Sequence, residues 1–281
     1  MSNFINKIDF VVLVSAEKAN VNGDPLNGNR PRMDYNSYGE ISDVCIKRKI
    51  RNRMQDLGEH VFVQSDDRSD DGFKSLSERA SKTLGKIKEA DKYAALACEM
   101  WLDVRTFGQV FAFKNGDASG VSVGVRGPVS IHQAVSVSPI DITSLQITKS
   151  VNSEPNEKRS SDTMGLKHFV NFGLYVIKGS INVQLAQKTG FSKEDADVLK
   201  ECLRTLFEND ASSARPEGSM EVMRMYWWEH NCASGQYSSA KVHRSVHITP
   251  KDGVVIPASA DDYEITLDSL DGLEPEIIDG I

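Results

Sequence analysis

Ile8, Phe10, Val12 and Val14 alternate with Asp9, Val11 and Leu13. Apolar residues occupy both sides of the alternation, which predicts an interior strand covered on both faces. Residues 16–39 show no apolar period and hold two Pro, three Gly and five Asn. That is a long loop, and long loops in compact domains are usually functional or disordered. Ile41, Val44, Cys45, Met54 and Leu57 then recur at near-helical spacing, with Ser42 or Asp43 near the start, and predict a helix over about 41–57. Residues 58–120 read as an insertion. Its part 64–90 is polar and expected to be exposed, and a helix follows over about 87–103. Val121, Val123, Val125, then Val129, Ile131, Val135 and Val137 suggest two strands meeting at Gly127-Pro128.

Residues 138–167 are too polar for a core and read as a protruding hairpin or arm, after which Phe169 to Val183 resumes as strand. Ser192 as N-cap and Asp195 at N3 mark a helix start. Leu199, Cys202, Leu203, Leu206 and Phe207 continue it at helical spacing. Val222 to Trp228 and Val242 to Ile248 read as strands. Without its insertions the order is βαββαβ, the ferredoxin-like arrangement on which RNA-recognition motifs are built. The predicted class is α+β, which alone says little about function.

The chain has 281 residues and a net charge of −7, which argues against a nucleic-acid partner until its distribution is inspected. Nine acids and no Lys or Arg lie between Asp252 and Ile281. Removing these nine leaves residues 1–251 at +2. Arg30 to Arg53 holds seven bases against three acids. The body is thus near neutral, with one basic stretch and an acidic C-terminal segment, 252–281. No run of apolar residues is long enough to span a membrane. Met1 to Lys7 shows no cationic segment followed by an apolar one, so a cytoplasmic location is expected. Cys45, Cys98, Cys202 and Cys232 are widely spaced, and reduced thiols are expected.

The basic stretch contains like-charge pairs one helical turn apart, Lys47 with Arg51 and Lys49 with Arg53. Such pairs destabilise an isolated helix by roughly 0.2–0.5 kcal/mol each. Either they form a solvated face or a polyanion neutralises them. In the loop before them, Gly and Asn permit positive φ and let backbone N–H groups approach an anion. Arg30 and Arg32 add charge-assisted donors. A phosphate-contacting loop is the favoured reading over a plain surface turn. Asp24 and Asp34 offer a weaker alternative, a Mg²⁺ site for phosphodiester hydrolysis.

Other candidates are thinner. Gly120 to Pro128 is spaced GxxxGxxG rather than as a nucleotide loop and lacks strand–turn–helix context. His243 and His247, read on one strand, are about 13 Å apart at 3.3 Å per residue and cannot share an ion. His168 beside the arm is placed to contact phosphate, although a lone His is more often structural. Trp227 and Trp228 point to opposite faces, so at least one belongs to the core. No catalytic triad and no cofactor motif is legible.

Several co-linear blocks together carry a resemblance. They are "VNGDPLNGNRPRMD", "ISDVCIKRKIRN", "DVRTFGQVF", "VRGPVSI", "ITKSVN", "TMGLKHFVNFGLYV" and "KTGFSKEDADVL". In this order they resemble the backbone subunit of the subtype I-C CRISPR Cascade complex, in the RAMP superfamily. The resemblance covers most of residues 8–250 and weakens over 58–90 and in the acidic segment. It implies a single modified ferredoxin-like palm with a helical insertion (58–120) and a thumb (138–167). It also implies a non-catalytic role in antiviral defence, with no metal or cofactor. Copies stack along one CRISPR RNA, and each thumb reaches over its neighbour. An RNA-processing end subunit, a large PAM-recognising subunit and a small subunit complete the complex, which pairs with target DNA through the guide; no membrane is involved.

The resemblance places Asn22, Gly23, Asn29, Arg30, Lys47, Arg48 and Arg51 on the palm's RNA-facing motif. Gly124, Arg126 and Gly127 fall on a strand beneath the RNA. Gln146, Thr148, Lys149, Met164, Lys167 and His168 fall on the thumb and its root. Where it leads one to expect bases, this chain has Leu166 and Ala211; Lys167 and Arg215 are the nearest cations. Two other classes compete with the scaffold: a metal-dependent endoribonuclease of the type III backbone kind using Asp24, and a small-molecule enzyme on a ferredoxin-like fold.

Overall fold

The computed structural model describes residues 3–85, 87–112, 122–148 and 164–281. The first strand, β1 (Ile8–Ala19), is buried on both faces over most of its length, as the apolar run from Phe10 to Val14 requires. It runs further than its alternation suggests. The segment after it is not wholly irregular: β2 (Gly23–Asp24) and β3 (Arg30–Pro31) form a small ribbon, and β4 (Tyr38–Ile41) joins the main sheet. Helix α1 (Asp43–Asp56) starts where Ser42 Oγ accepts from Cys45 N.

The insertion contains α2 (Leu76–Leu84), α3 (Ala90–Met100) and α4 (Leu102–Phe107). The helix expected over 87–103 is broken at Trp101, whose backbone is extended (φ −129°, ψ 120°). Nor is the insertion merely exposed. Phe62, Leu84, Tyr93, Trp101 and Phe111 form a second apolar core there, with Phe62 and Trp101 ring centroids 4.6 Å apart. Arg79 is buried beside it, donating to Phe62 O and pairing with Asp71, so a polar stretch folds by satisfying its charges internally.

A ribbon of β5 (Gly108–Phe111) and β6 (Val123–Arg126) leads through Gly127-Pro128 to β7 (Val129–Ile131) and β8 (Ala134–Pro139). Three strands stand where the valine pattern suggested two. Then come β9 (Ile142–Thr148) and the long β10 (Met164–Ile181). Strand β10 begins before Phe169 because its first residues pair with β9, from Met164↔Thr148 to Val170↔Ile142. Helices α5 (Val183–Thr189) and α6 (Lys193–Arg204) follow, the latter opened by the capping box of Ser192 and Asp195. Strand β11 (Met220–Glu229) returns beside β1.

Residues 242–248, read as one strand, divide into α7 (Ser239–Arg244) and β12 (Val246–Pro250). Ser238 caps the helix through Lys241 N, and His243 Nε2 donates to Gly179 O at 2.9 Å. A short stretch with Val242 and Val246 four apart fits either period, and the cap and the sheet beneath decide it. The acidic segment adds β13 (Tyr263–Leu267), paired with β12, and β14 (Glu276–Asp279), paired with β11.

The main sheet has the order β14-β11-β1-β10-β8-β4, with β7 and β9 also on β10, and these pairs are antiparallel. Taking β1, α1, β7, β10, α6 and β11 alone gives β11-β1-β10-β7, the 4-1-3-2 order of the ferredoxin-like fold. Phe10, Val12 and Val14 face α1 and α6, through Ile46, Ile50, Met54, Leu199 and Leu203. Val11 and Leu13 face the other way, onto Tyr226, Trp228, Val242, Tyr263, Leu270 and Leu273. Trp227 and Trp228 take one face each, and both are core because both faces are covered. The acidic segment therefore supplies part of a core through Leu270 and Leu273 and closes one sheet edge. Among the described residues no helix is long and apolar enough to cross a membrane.

Candidate nucleic-acid interface

The Gly/Asn loop is built by its own side chains. Asn20 is buried and its Nδ2 donates to Asn29 O at 2.7 Å. Gly28 and Asn29 both have positive φ, +58° and +60°. A Cβ at Gly23 would lie 2.0 Å from Asn29 Oδ1 and 2.9 Å from Asn29 O, so a side chain there would displace Asn29. Asn22 Oδ1 accepts from Ser42 N at 2.9 Å and ties the loop to the start of α1. The loop walls an open cleft of about 460 Å³ that includes Arg30, Arg32 and the fully exposed Tyr35.

Both loop acids serve this architecture. Asp24 Oδ1 accepts from Leu26 N and pairs with Arg32 at 3.2 Å. Asp34 Oδ1 accepts from Asn36 N and Tyr38 N. His243 and His247 lie on different elements, the second pairing with Asp268 at 2.7 Å. Among the described residues no group of three or more His, Cys, Asp or Glu is placed to hold a metal ion. The four cysteines are free thiols, and burial pushes Cys98 up to about 11, away from nucleophilic character.

Strand β9 and the start of β10 are the described part of the expected arm; residues 149–163 lie outside the described residues. Residues directly opposite share a face. One face therefore holds Ser144, Gln146 and Thr148 with His168, Leu166 and Met164; the other holds Leu145 and Ile147 with Lys167 and Gly165. Gln146 Nε2 donates to Met164 Sδ at 2.6 Å. Leu145, Ile147, Met164 and Leu166 are exposed on this two-stranded ribbon. Lys149 lies outside the described residues.

Loop and arm root are joined by polar side chains. Arg30 Nη1 donates to Ser144 Oγ at 2.8 Å, and Ser144 Oγ is 2.8 Å from His168 Nδ1. Lys18 is close by in the fold: it donates to Asn171 Oδ1, which also receives the hydroxyl of Thr143 on β9. Ser144 and Lys18 were not legible as candidates. The only hint for Lys18 was its position between the buried strand and the Asn-rich loop.

The cations of α1 are arranged differently. Arg51 Nε donates to Asp103 at 2.9 Å, and its guanidinium lies 5.1 Å from the Phe107 ring centroid. Asp103 is 1 % exposed and also accepts from Phe62 N and Val63 N. Arg48 donates to Val63 O, Lys47 pairs with Asp43, and Lys49 pairs with Asp210, which also binds Arg215. Arg53 donates to Thr205 Oγ1 at 2.6 Å. The like-charge spacing of α1 is thus offset within the chain, by carboxylates at Lys47, Lys49 and Arg51 and by Asp56 and a hydroxyl at Arg53, and neither a polyanion nor a solvated face is needed to explain it. Arg215, one expected substitute cation, is engaged likewise.

Strand β6 sits at the end of α4. Gly127 is wedged there: a Cβ would lie 2.4 Å from Thr106 O and from the Phe107 carbonyl carbon. Gly124 and Arg126 are exposed on the ribbon, opposite Val110 and Gly108. The sequence candidates thus fall into two groups. Arg30 and His168 converge through Ser144, while Lys47, Arg51 and the β6 residues gather around Phe107 and Gly108. Asn22 links the loop of the first group to the helix of the second.

Comparison with known proteins adds to this geometry. Residues 6–268 match the family described as CRISPR-associated protein Cas7. A curated protein of that description from Haloferax volcanii is 24% identical over 233 residues, spanning 75% of this chain and 67% of the relative. Two solved chains are similar at 16% identity and a TM-score of 0.48. One comes from a "CRISPR RNA-guided surveillance complex, pre-nicking" and covers 79% of this chain and 78% of that one. The other comes from a "CRISPR RNA-guided surveillance complex" and covers 89% of this chain and 78% of that one. With the family match running from before β1 into the acidic segment, the chain belongs to the CRISPR-associated protein Cas7 family.

Proposed function

We propose that this Cas7-family chain is a non-catalytic backbone subunit of a cytoplasmic subtype I-C interference complex, polymerising along a CRISPR RNA and holding it by its sugar-phosphate backbone. The observation that carries the reading is the convergence of the Gly/Asn loop and the arm root, where Arg30, Ser144 and His168 join two elements of unlike origin. A protein that must hold any guide gains affinity from phosphate and shape and not from base edges. A loop with two consecutive positive-φ residues and two half-buried guanidinium groups beside an open cleft suits that task. Lys47, Arg126, Gln146, Thr148 and Met164 extend the surface, and Asn22, Gly23, Asn29 and Gly127 give it shape. Arg48 and Arg51 support it from within by holding the insertion against α1. The acids of the loop are occupied by capping and by Arg32, which favours a scaffold over a nuclease.

The test is gentle purification of the tagged chain. RNA of uniform length and partner subunits are expected to come down with it. Single-stranded RNAs of unrelated sequence should bind alike, and Arg30→Ala should weaken all of them equally and reduce the salt slope by about one. Loss confined to one sequence contradicts this reading. So does regular Mg²⁺-dependent cleavage of complementary RNA that Asp24→Ala abolishes.

A further inference from the structure

The hydrogen-bond chain at the arm root has a direction. Arginine only donates, so Arg30 occupies a lone pair of Ser144 Oγ. The hydroxyl keeps one proton, and His168 Nδ1 stands 2.8 Å away. Donated there, that proton makes Nδ1 an acceptor and leaves the ring proton on Nε2. Among the described residues neither Nε2 nor the other N–H groups of Arg30 have a hydrogen-bond partner. In the sheets β3 pairs with β2 and β9 with β10, so Ser144 is the polar bridge between the ribbon that carries Arg30 and the hairpin that carries His168.

We propose that Ser144 is a positioning residue: through Arg30 and His168 it sets a guanidinium and an imidazole Nε2–H side by side as donors to one phosphodiester group of single-stranded RNA. The donors differ in kind. The guanidinium brings permanent charge, and the imidazole a directional N–H whose tautomer is chosen by the serine and not by the ligand. Lys167, next to His168, points to the opposite face and takes no part. The inference rests on the RNA-binding reading above.

Two measurements test it on the full chain. Long-range ¹H–¹⁵N NMR, with His168 assigned through His168→Gln, reports the ring tautomer in the RNA-free protein. Binding of several unrelated single-stranded RNAs at fixed salt reports the consequence. The wild-type ring is expected as the Nε2–H tautomer. Ser144→Ala is expected to give a tautomer mixture and roughly five- to tenfold weaker binding of every RNA. Ser144→Thr, which keeps the hydroxyl, is expected to restore both. A wild-type Nδ1–H tautomer, or undiminished binding by Ser144→Ala, overturns this inference and leaves the functional reading standing. A wild-type chain that binds no RNA overturns both.

Discussion

Asp103 shows how a charge can be buried at a cost the fold recovers. Its carboxylate is almost fully enclosed and meets Arg51 and two backbone N–H groups, all of which are donors. Removing the arginine leaves an uncompensated buried anion, the case in which ion pairs matter most. We expect Arg51→Ala to cost about 3 kcal/mol, at the low end of that class because the backbone donors remain. Urea unfolding checks this; a midpoint unchanged within error would show the pair to be dispensable. A surface cation lost from a phosphate site would instead weaken RNA binding and leave stability intact. Arg51 could be seen in the sequence as a cation in a basic helix. Its partner lies 52 positions away, at the end of the helix expected over 87–103, and no local pattern joins the two.

At the scale of elements, β10 changes role along its length. From Val170 to Ile181 it is flanked by β1, with β8 and β7 successively on its other edge. From Met164 to Phe169 its one described partner is β9, and that ribbon exposes apolar side chains. Two-stranded ribbons are marginal in water, so one strand should show two levels of stability. Hydrogen exchange is expected to be fast at 164–168 and slow at 174–181, and under the proposed function residues 164–168 become protected on addition of RNA. Uniform protection in the free chain would falsify this division. The sequence shows where polarity rises, over 138–167, and β9 with the start of β10 falls in that stretch. It does not show that arm and core strand are continuous, because continuity depends on which strand lies alongside.

The whole molecule is a sheet covered on both faces, and charge is placed where that cover needs it. Asp9 is fully buried and bound by His230 at 2.9 Å and Lys7 at 2.7 Å. Burial pushes its carboxyl up, but these hydrogen bonds outweigh it and hold the pKa below the usual 3.8. His243 stands nearby with Gly179 O as its acceptor. Burial pushes its pKa below 6.5 despite that carbonyl and Asp9. The unfolded chain therefore binds more protons at this site, so stability increases with pH. The contribution is complete above 6.5 and is lost as pH falls toward the lower folded value. Melting temperatures at pH 7.5 and 5.5 should differ more for the wild type than for His243→Gln; equal differences would exclude the contribution.

What could be read without coordinates is what local physics governs. The buried first strand, the capping of α1 and α6 and the βαββαβ order follow from side-chain periods and from the few residues that cap or turn a chain. Pairing in space is another matter. That Lys49, Arg51 and Arg53 find partners on distant segments, that an acidic segment folds over a sheet face with Leu270 and Leu273 inward, and that Arg30 meets Ser144 all depend on long-range contact. Such contacts are decided when burial and hydrogen bonding are satisfied for the entire chain at once, and no window of sequence contains that condition.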